Sequence, residues 1–519
     1  MNKDKLFKLI KSLNGAEKRY FSIWCTRHYG KEKNLTLLLF QDLSKLKEYD
    51  QKKFLKKFPH KPYTKNFRFA KHFLFKQLLR CLHSFHAGRN IETQLNEMLD
   101  HADILSNKGM TNESIELLHN ASDLALKFEC FGIYYEVKRK KLELFRDINY
   151  EGIGNTRIGE VVDEMKFALR KAEAIAEVES SVMQVMQSLS QSGISRGELQ
   201  VQVLNLSKKL KPNSETAELF RSTLLFYQGM GALEFSKGNF EAASKWTGNV
   251  LKLFSEFPHM KQEKKKTFSV AVQNHLIINN YLDRYDGLDA ILKSLDEIKA
   301  DTPQLKNRVF YITRNMLMGT CVHVGDYERA LKLMKEISVK HKKGEVEFLN
   351  RQQEIVFNFS SALALFGSAR YKEANVLVNK VISDSNEQLR LDIQSFARIF
   401  NIIIQFESGK QELLEYSVRS TYRFLAKKKK VYQTEKVIMD FLRKTAPIIN
   451  SKLKQTEAFT ELYASLLPLS KKKNEKQFFQ FFDFISWLES KLSGKEMGMV
   501  LREKNPGYWI KDFDTSRQK

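Results

Sequence analysis

Three stretches of this chain repeat one pattern of helix, tight turn and second helix: YQGMGALEFSKGNFEAASKW from Tyr227, NMLMGTCVHVGDYERALKLM from Asn315 and NFSSALALFGSARYKEANVLV from Asn358. Each turn is followed by an aromatic residue (Phe240, Tyr327, Tyr371) and, three positions later, by an alanine (Ala243, Ala330, Ala374). Repetition at a fixed interval constrains the fold more than composition does, because one helical pair cannot bury its apolar face alone and must stack on a copy of itself. Fainter copies extend the register, with Tyr285 and Leu288, Gln411 and Leu414, and Thr111 and Ser114 in the equivalent places. Taking the residue three after the turn marker as an anchor, Ala243, Leu288, Ala330, Ala374 and Leu414 stand 45, 42, 44 and 40 residues apart. Ser114 lies 129 before Ala243, three steps of 43. That interval leaves room for two degenerate pairs, around Arg157 to Ala176 and Gly197 to Leu210, which brings the array to about eight units.

Outside these units the periodicity is still helical, and no segment alternates like a strand. Only 8 Pro and 23 Gly among 519 residues allow long helices and disfavour a turn-rich β architecture. Phe67 to Phe85 shows the pattern, with Phe69, Ala70, Phe73, Leu74, Leu78 and Cys81 along one apolar stripe. Breaks fall at Asn14-Gly15, Pro59 to Pro62, Gly238-Asn239 and Gly325-Asp326. Residues 1–90 read as a small bundle of four or five short helices: LFKLIKSL, AEKRYFSIWCTRHY, LTLLLFQDLSKL, DQKKFLKKF and NFRFAKHFLFKQLLRCLHSF.

The paired units resemble the tetratricopeptide repeat, in which small residues let the two helices of a hairpin cross closely and an aromatic residue seals the turn. Gly231 and Ala362 match the small positions of the first helix, and Met318 replaces one in the middle unit. The resemblance covers roughly residues 95–425 and implies an all-α fold, a right-handed α-solenoid of hairpins with a period of about 43. The family's unit is about 34 residues, so these helices are expected to be longer by a turn or more. The expected organisation is a basic helical bundle at 1–90, repeats at 91–430, C-terminal helices capping the solenoid at 431–504, and a frayed tail at 505–519. Such arrays present a concave face lined by the first helix of each pair, suited to an extended peptide or a partner helix. Along that helix Asn274, Asn315, Asn358 and Asn401 recur at steps of 41, 43 and 43, and Gln228 sits 15 before Ala243. An amide offers a donor and an acceptor at once, so a ladder of them can hold a peptide backbone whatever its side chains. A groove-facing asparagine at about this place does that work in the tetratricopeptide family, and the resemblance implies the same role here; spacing alone also fits asparagines that bridge helices or face water.

The formal charge of +25 is unevenly spread: residues 1–90 hold 22 Lys and Arg against 6 Asp and Glu, a net of +16. Lys52, Lys53, Lys56, Lys57, Lys61, Lys65, Arg68, Lys71 and Lys76 crowd one stretch and alternate with Phe54, Phe58, Phe67, Phe69, Phe73 and Phe75. Cations interleaved with aromatics are what a nucleic-acid surface needs. Against that reading, the phenylalanines fall at helical spacing, as core residues do, and no helix-turn-helix, zinc-finger or RNA-recognition signature accompanies them. Solvated charge, or attraction to an acidic partner protein, is the favoured account and nucleic acid the alternative. Further lysine runs at 427–430 and 471–473 read as solvated loops.

Catalytic chemistry has no obvious seat. Cys81, His83 and His86 lack a fourth ligand group for zinc, and Glu116 with His119 supplies one ExxH where a di-iron bundle needs two. GIGNTRIG from Gly152 follows a helix rather than a strand and reads as an interhelical loop. No P-loop, nucleophile elbow or HExxH occurs. The expectation is a binding scaffold with no catalytic residues, metal or cofactor, whose partner is another protein or peptide. Cys25, Cys81, Cys130 and Cys321 form no CxxC pair, the first residues carry no export signal, and no apolar run reaches the roughly 18 residues a membrane span needs. A soluble cytoplasmic protein is expected.

Overall fold

The computed structural model describes residues 4–29, 34–86, 88, 90–190, 218–348, 350–384, 390–409, 411–426, 433–445, 452–472 and 475–506. Every regular element among them is helical. The chain divides into two compact units, residues 1–169 and 170–519, and the division falls inside one helix. The expected boundary near residue 90 thus lies within the first unit.

That unit opens with five helices, α1 (Lys5–Ser12), α2 (Gly15–Tyr29), α3 (Leu35–Ser44), α4 (Gln51–Lys57) and α5 (Phe67–Phe85), with a 3-10 turn at Pro62–Thr64. All five match the sequence reading to within a residue or two. Polar caps set their starts: Asp4, Asn34 and Asp50 each accept from the first free backbone N–H groups of α1, α3 and α4. Their shared core runs from Leu6 and Ile10 through Phe21, Leu39, Phe40 and Phe54 to Leu74, Leu78 and Cys81. One polar pair is buried within it, the Tyr63 hydroxyl donating to Asp42 at 2.7 Å. The antiparallel helices α6 (Ile91–Asn107), α7 (Thr111–Lys127) and α8 (Phe131–Asp147) follow, α6 packing on both α7 and α8. Ser114, the anchor of this hairpin, is fully buried and donates to the carbonyl of Ala102 at 2.8 Å, which brings α6 and α7 together.

Next comes α9 (Asn155–Ser190), 36 residues without interruption. The short degenerate pair expected around Arg157 to Ala176 is therefore part of one helix twice the length of its neighbours. No Gly or Pro occurs between 160 and 190 to stop it. GIGNTRIG is a loop only as far as Gly154, and Gly159 lies inside α9. The second degenerate pair, Gly197 to Leu210, lies outside the described residues.

The second unit is a succession of hairpins: α10 (Phe220–Ser236) with α11 (Phe240–Glu256), α13 (Lys265–Asn280) with the short α14 (Leu288–Lys293), α15 (Pro303–His323) with α16 (Tyr327–Lys342), α17 (Arg351–Gly367) with α18 (Tyr371–Ile382), and α19 (Leu391–Glu407) with α20 (Gln411–Ala426). A one-turn α12 (Pro258–Glu263) precedes α13. Each helix packs on the next along the chain except α14 on α15, and first helices also pack on one another, α13 on α15, α15 on α17 and α17 on α19. The anchors Ala243, Ala330, Ala374 and Leu414 are fully buried at these crossings, and Leu288 is 7 % exposed. Gly231 serves its expected purpose, since a Cβ there would stand 3.3 Å from the Thr247 methyl of α11. Met318, where the pattern has a small residue, is also fully buried.

A feature the sequence reading did not single out unifies these turns. Two residues before each marker the backbone is left-handed: Gly109, Gly238, Asp283, Gly325, Ala369 and Gly409 have φ of 78, 75, 53, 80, 56 and 69°. At five of these turns the following residue's N–H reaches back to the same helical carbonyl, at 2.8–3.0 Å (Met110 to Leu105, Asn239 to Glu234, Arg284 to Asn279, Asp326 to Cys321, Arg370 to Leu365). This is the Schellman cap. In every case but one the marker is then the first residue of the second helix. The exception is Tyr285, which stays in a turn and delays α14 to Leu288.

The last helices, α21 (Gln433–Thr445), α22 (Lys452–Ser470), α23 (Lys476–Phe479), α24 (Phe484–Ser493) and α25 (Met497–Lys504), do more than close the row. Glu475 accepts from the Gln433 and Thr434 N–H groups at 3.1 and 3.0 Å and so caps α21. From Phe478 onward the chain turns back against α17, α19 and the turn at Gly325, and the Tyr327 ring becomes wedged between Gly367 and Gly498. A Cβ at Gly367 would fall within 2.3 Å of three Tyr327 ring carbons.

These turns generate a stability prediction of opposite signs. Ala369→Gly relieves a left-handed alanine and should raise stability by about 1 kcal/mol, whereas Gly367→Ala forces the Tyr327 ring aside and should cost about 1–3 kcal/mol. Urea unfolding of the two variants beside the parent checks both; a stabilised Gly367→Ala would refute the wedge.

Candidate functional site

The structure puts all five amides of the expected ladder on the first helices of successive hairpins, Gln228 on α10, Asn274 on α13, Asn315 on α15, Asn358 on α17 and Asn401 on α19. Their surroundings differ. Asn274 is exposed, and Gln228 and Asn358 are half-buried. Asn315 is 4 % exposed, and its Oδ1 has no hydrogen-bond partner. Asn401 is held inside the fold: its Nδ2 donates to Asn375 and Asn379 of α18 at 3.1 and 2.9 Å, and its Oδ1 accepts from Gln405. The amide spacing therefore serves a bridge between helices at α19, where the sequence reading placed a groove contact. Among the described residues, buried polar atoms without partners gather on these same helices: Ser222 Oγ, Asn315 Oδ1, Thr320 Oγ1, Ser361 Oγ and Gln405 Oε1.

A second occupant of these helices went unnoticed in the sequence. Phe478, Phe481 and Phe484 pack on Phe396 at ring separations of 5.2–5.9 Å, and Phe482 packs on Phe366 and Phe400 at 5.5 and 5.3 Å. Glu407 at the end of α19 accepts from Trp487 Nε1 at 2.8 Å and pairs with Lys491. Gln480 donates to the Tyr281 carbonyl at 3.3 Å. The signal was the run FFQFFDFISW from Phe478, too dense in aromatics for an exposed cap. Beneath it lies a cavity of about 380 Å³, lined by Asp283, Tyr285, His323, Tyr327 and Asp483 among others. Burial holds the His323 imidazole below its ordinary pKa of 6.5, against the opposing pull of Asp283 and Asp483. Burial does the same to His275, whose ring nitrogens meet Thr247 Oγ1 and the Asn279 amide at 2.9 and 3.0 Å.

In the first unit the expected basic surface divides in two. Lys52, Lys53, Lys56, Lys57, Lys65, Arg68 and Lys76 are exposed. Lys61 lies 3.8 Å from Asp42, and Lys71 is tied to Asp4 and to the Tyr49 hydroxyl. Phe54 and Phe67 are core as expected, Phe58, Phe73 and Phe75 are half-buried, and Phe69 is 63 % exposed. The stripe drawn through Phe69 is therefore one residue too wide. The lysine run at 427–430, Lys473, and residues 507–519 of the expected tail lie outside the described residues.

Elsewhere the groups weighed as chemistry have structural partners. His86 Nε2 stands 3.0 Å from Glu17 Oε1, and His119 pairs loosely with Asp123 at 3.8 Å. Burial pushes the Cys25 thiol up to about 12 and that of Cys81 to about 11, so neither is a thiolate at neutral pH. Among the described residues no three His, Cys, Asp or Glu are placed to hold a metal, and no helix is long and apolar enough to cross a membrane. No protein-family profile matches the chain, and no curated protein matches it in sequence.

Two outcomes are expected. Asn401→Ala removes the amide that donates to Asn375 and Asn379 and accepts from Gln405, and should lower stability by about 1–3 kcal/mol, while Asn274→Ala should change it by less than about 0.5 kcal/mol; equal urea midpoints would contradict this division. Because the folded chain holds His275 and His323 below 6.5, the unfolded chain takes up protons first as pH falls, and stability should decline from pH 7 to about 5.5. His323→Gln should flatten that decline in melting curves recorded across the range.

Proposed function

We propose that this chain is a non-catalytic scaffold of tetratricopeptide-like hairpins, a right-handed solenoid with a period near 43 residues, that binds an extended peptide or a partner helix on the face lined by its first helices. The observation that carries the reading is the turn: a left-handed residue, a marker two positions on and a buried anchor three later recur at six hairpins. A common turn gives successive pairs a common crossing geometry, which is what a stack with translational order requires. Packing of first helices on one another, from α13 through α19, supports the same reading.

The amides that remain for a ligand are Gln228, Asn274, Asn315 and Asn358, since Asn401 is spent on α18. Over α17 and α19 the aromatic segment from Phe478 already occupies part of the first-helix face, so the open stretch of groove centres on α10 and α13. A ligand backbone there would exchange hydrogen bonds with Gln228 and Asn274, its side chains reading shape between the helices.

The test joins affinity capture to a stability control. Gln228→Ala with Asn274→Ala should lower recovery of captured partners at least fivefold while the melting temperature stays put, and hydrogen exchange in the complex should slow along α10 and α13. Undiminished capture by this double variant would remove the groove assignment.

A further inference from the structure

Between Gln51 and Asn90 the chain carries 11 Lys and Arg and not one Asp or Glu. Within a fold, such a run usually borrows carboxylates from neighbouring elements. Here, among the described residues, only Lys61 and Lys71 do so, from Asp42 and Asp4. Lys52, Lys53, Lys56, Lys57, Lys65, Arg68, Lys76 and Arg80 are exposed and make no ion pair among the described residues. Eight uncompensated cations on α4, α5 and the link between them repel one another in the free protein, and a polyanion would relieve that repulsion.

Amid these charges stands Phe69. The chain has 38 phenylalanines, and Phe69 alone among the described ones is exposed, at 63 %. Its ring lies nearly parallel to that of Phe73, with centroids 6.2 Å apart and planes 18° from one another, so a neighbour holds its orientation. Arg68, His72, Lys76 and Arg80 continue along the exposed side of α5, a path of about 18 Å at 1.5 Å per residue. A flat ring presented to solvent, with cations before and after it along one line, matches the needs of an unpaired strand: phosphates follow the cations and a base stacks on the ring.

We infer that the α4–α5 surface of the first unit binds single-stranded nucleic acid, with Phe69 as a base platform and Arg68, Lys76 and Arg80 as phosphate contacts. A duplex hides the faces of its bases and has no use for Phe69. An anionic membrane asks for a broad apolar face, and here only Phe69 and Leu79 protrude. An acidic protein would pair with the cations and leave the ring idle. This surface is separate from the groove proposed above, and neither reading depends on the other.

The experiment uses the full chain and fluorescence anisotropy with a labelled 16-nucleotide oligothymidylate, a mixed-sequence RNA of equal length, the duplex of the same sequence, and phosphatidylserine vesicles. Both single strands should bind, and affinity should fall with salt at a slope of about −0.7 per phosphate contacted. Phe69→Ala, at an exposed position, should weaken single-strand binding about tenfold with an unchanged melting temperature, and Phe69→Trp should restore it. Arg68→Glu with Lys76→Glu should weaken binding further and flatten the salt slope. The inference is overturned if neither single strand is retained at low salt, if Phe69→Ala binds as the parent does, or if the duplex or the vesicles bind more tightly than the single strands.

Discussion

A helix that is apolar around most of its surface cannot be satisfied by one neighbour, and α19 states the problem most sharply. Ile393, Phe396, Ala397, Ile399, Phe400, Ile402, Ile403 and Ile404 are all at most 4 % exposed, and they cover every side except the strip that carries Gln394, Arg398, Asn401 and Gln405. The solution is to surround it: α18 and α20 along the chain, α17 from the preceding hairpin, and the returning aromatic segment all press on it. Burying side chains of this size is worth roughly 1.5–3 kcal/mol each, so the core cluster that runs from Ile355 to Leu488 is built around this enclosure. Without the segment from Phe478 the phenylalanines of α17 and α19 would face water.

The same requirement explains why the turns are alike. Apolar faces meet in register only if each second helix leaves its first at a reproducible angle, and a Schellman cap followed at once by a new helix fixes that angle through two backbone bonds. Glycine is the cheapest residue for the left-handed position. Gly109, Gly238, Gly325 and Gly409 supply it, while Ala369 and Asp283 hold the same conformation against their own preference, which shows that packing dictates the turn. At Gly325 glycine is needed twice over, since a Cβ would stand 2.6 Å from the carbonyl oxygen of Gly498.

Charge is organised by a separate logic. In the second unit many cations find carboxylates, as Arg314 finds Glu336 at 2.9 Å and Arg351 finds Asp384 at 2.7 Å. Along α4 and α5 only Lys71 does so among the described residues, although the helices beneath pack through an ordinary apolar core. Stability does not ask for that excess, which is why it reads as a surface shaped for something outside the chain.

From the sequence alone, helix against strand was decided almost everywhere, because periodicity and the scarcity of Gly and Pro are local properties. The five helices of the basic bundle, the hairpin turns and the burial of Ala243, Ala330 and Ala374 were all legible for that reason. What a side chain faces at long range was not. Asn358 and Asn401 share a spacing, yet one is half-buried and the other bridges to α18; Phe69 shares a stripe with Leu74 yet stands in solvent. Nor could periodicity tell that residues 478–487 return to α17 and α19 instead of extending the row. Those outcomes depend on which elements meet in space, a matter of packing between residues more than a hundred positions apart, and only the tertiary structure decides it.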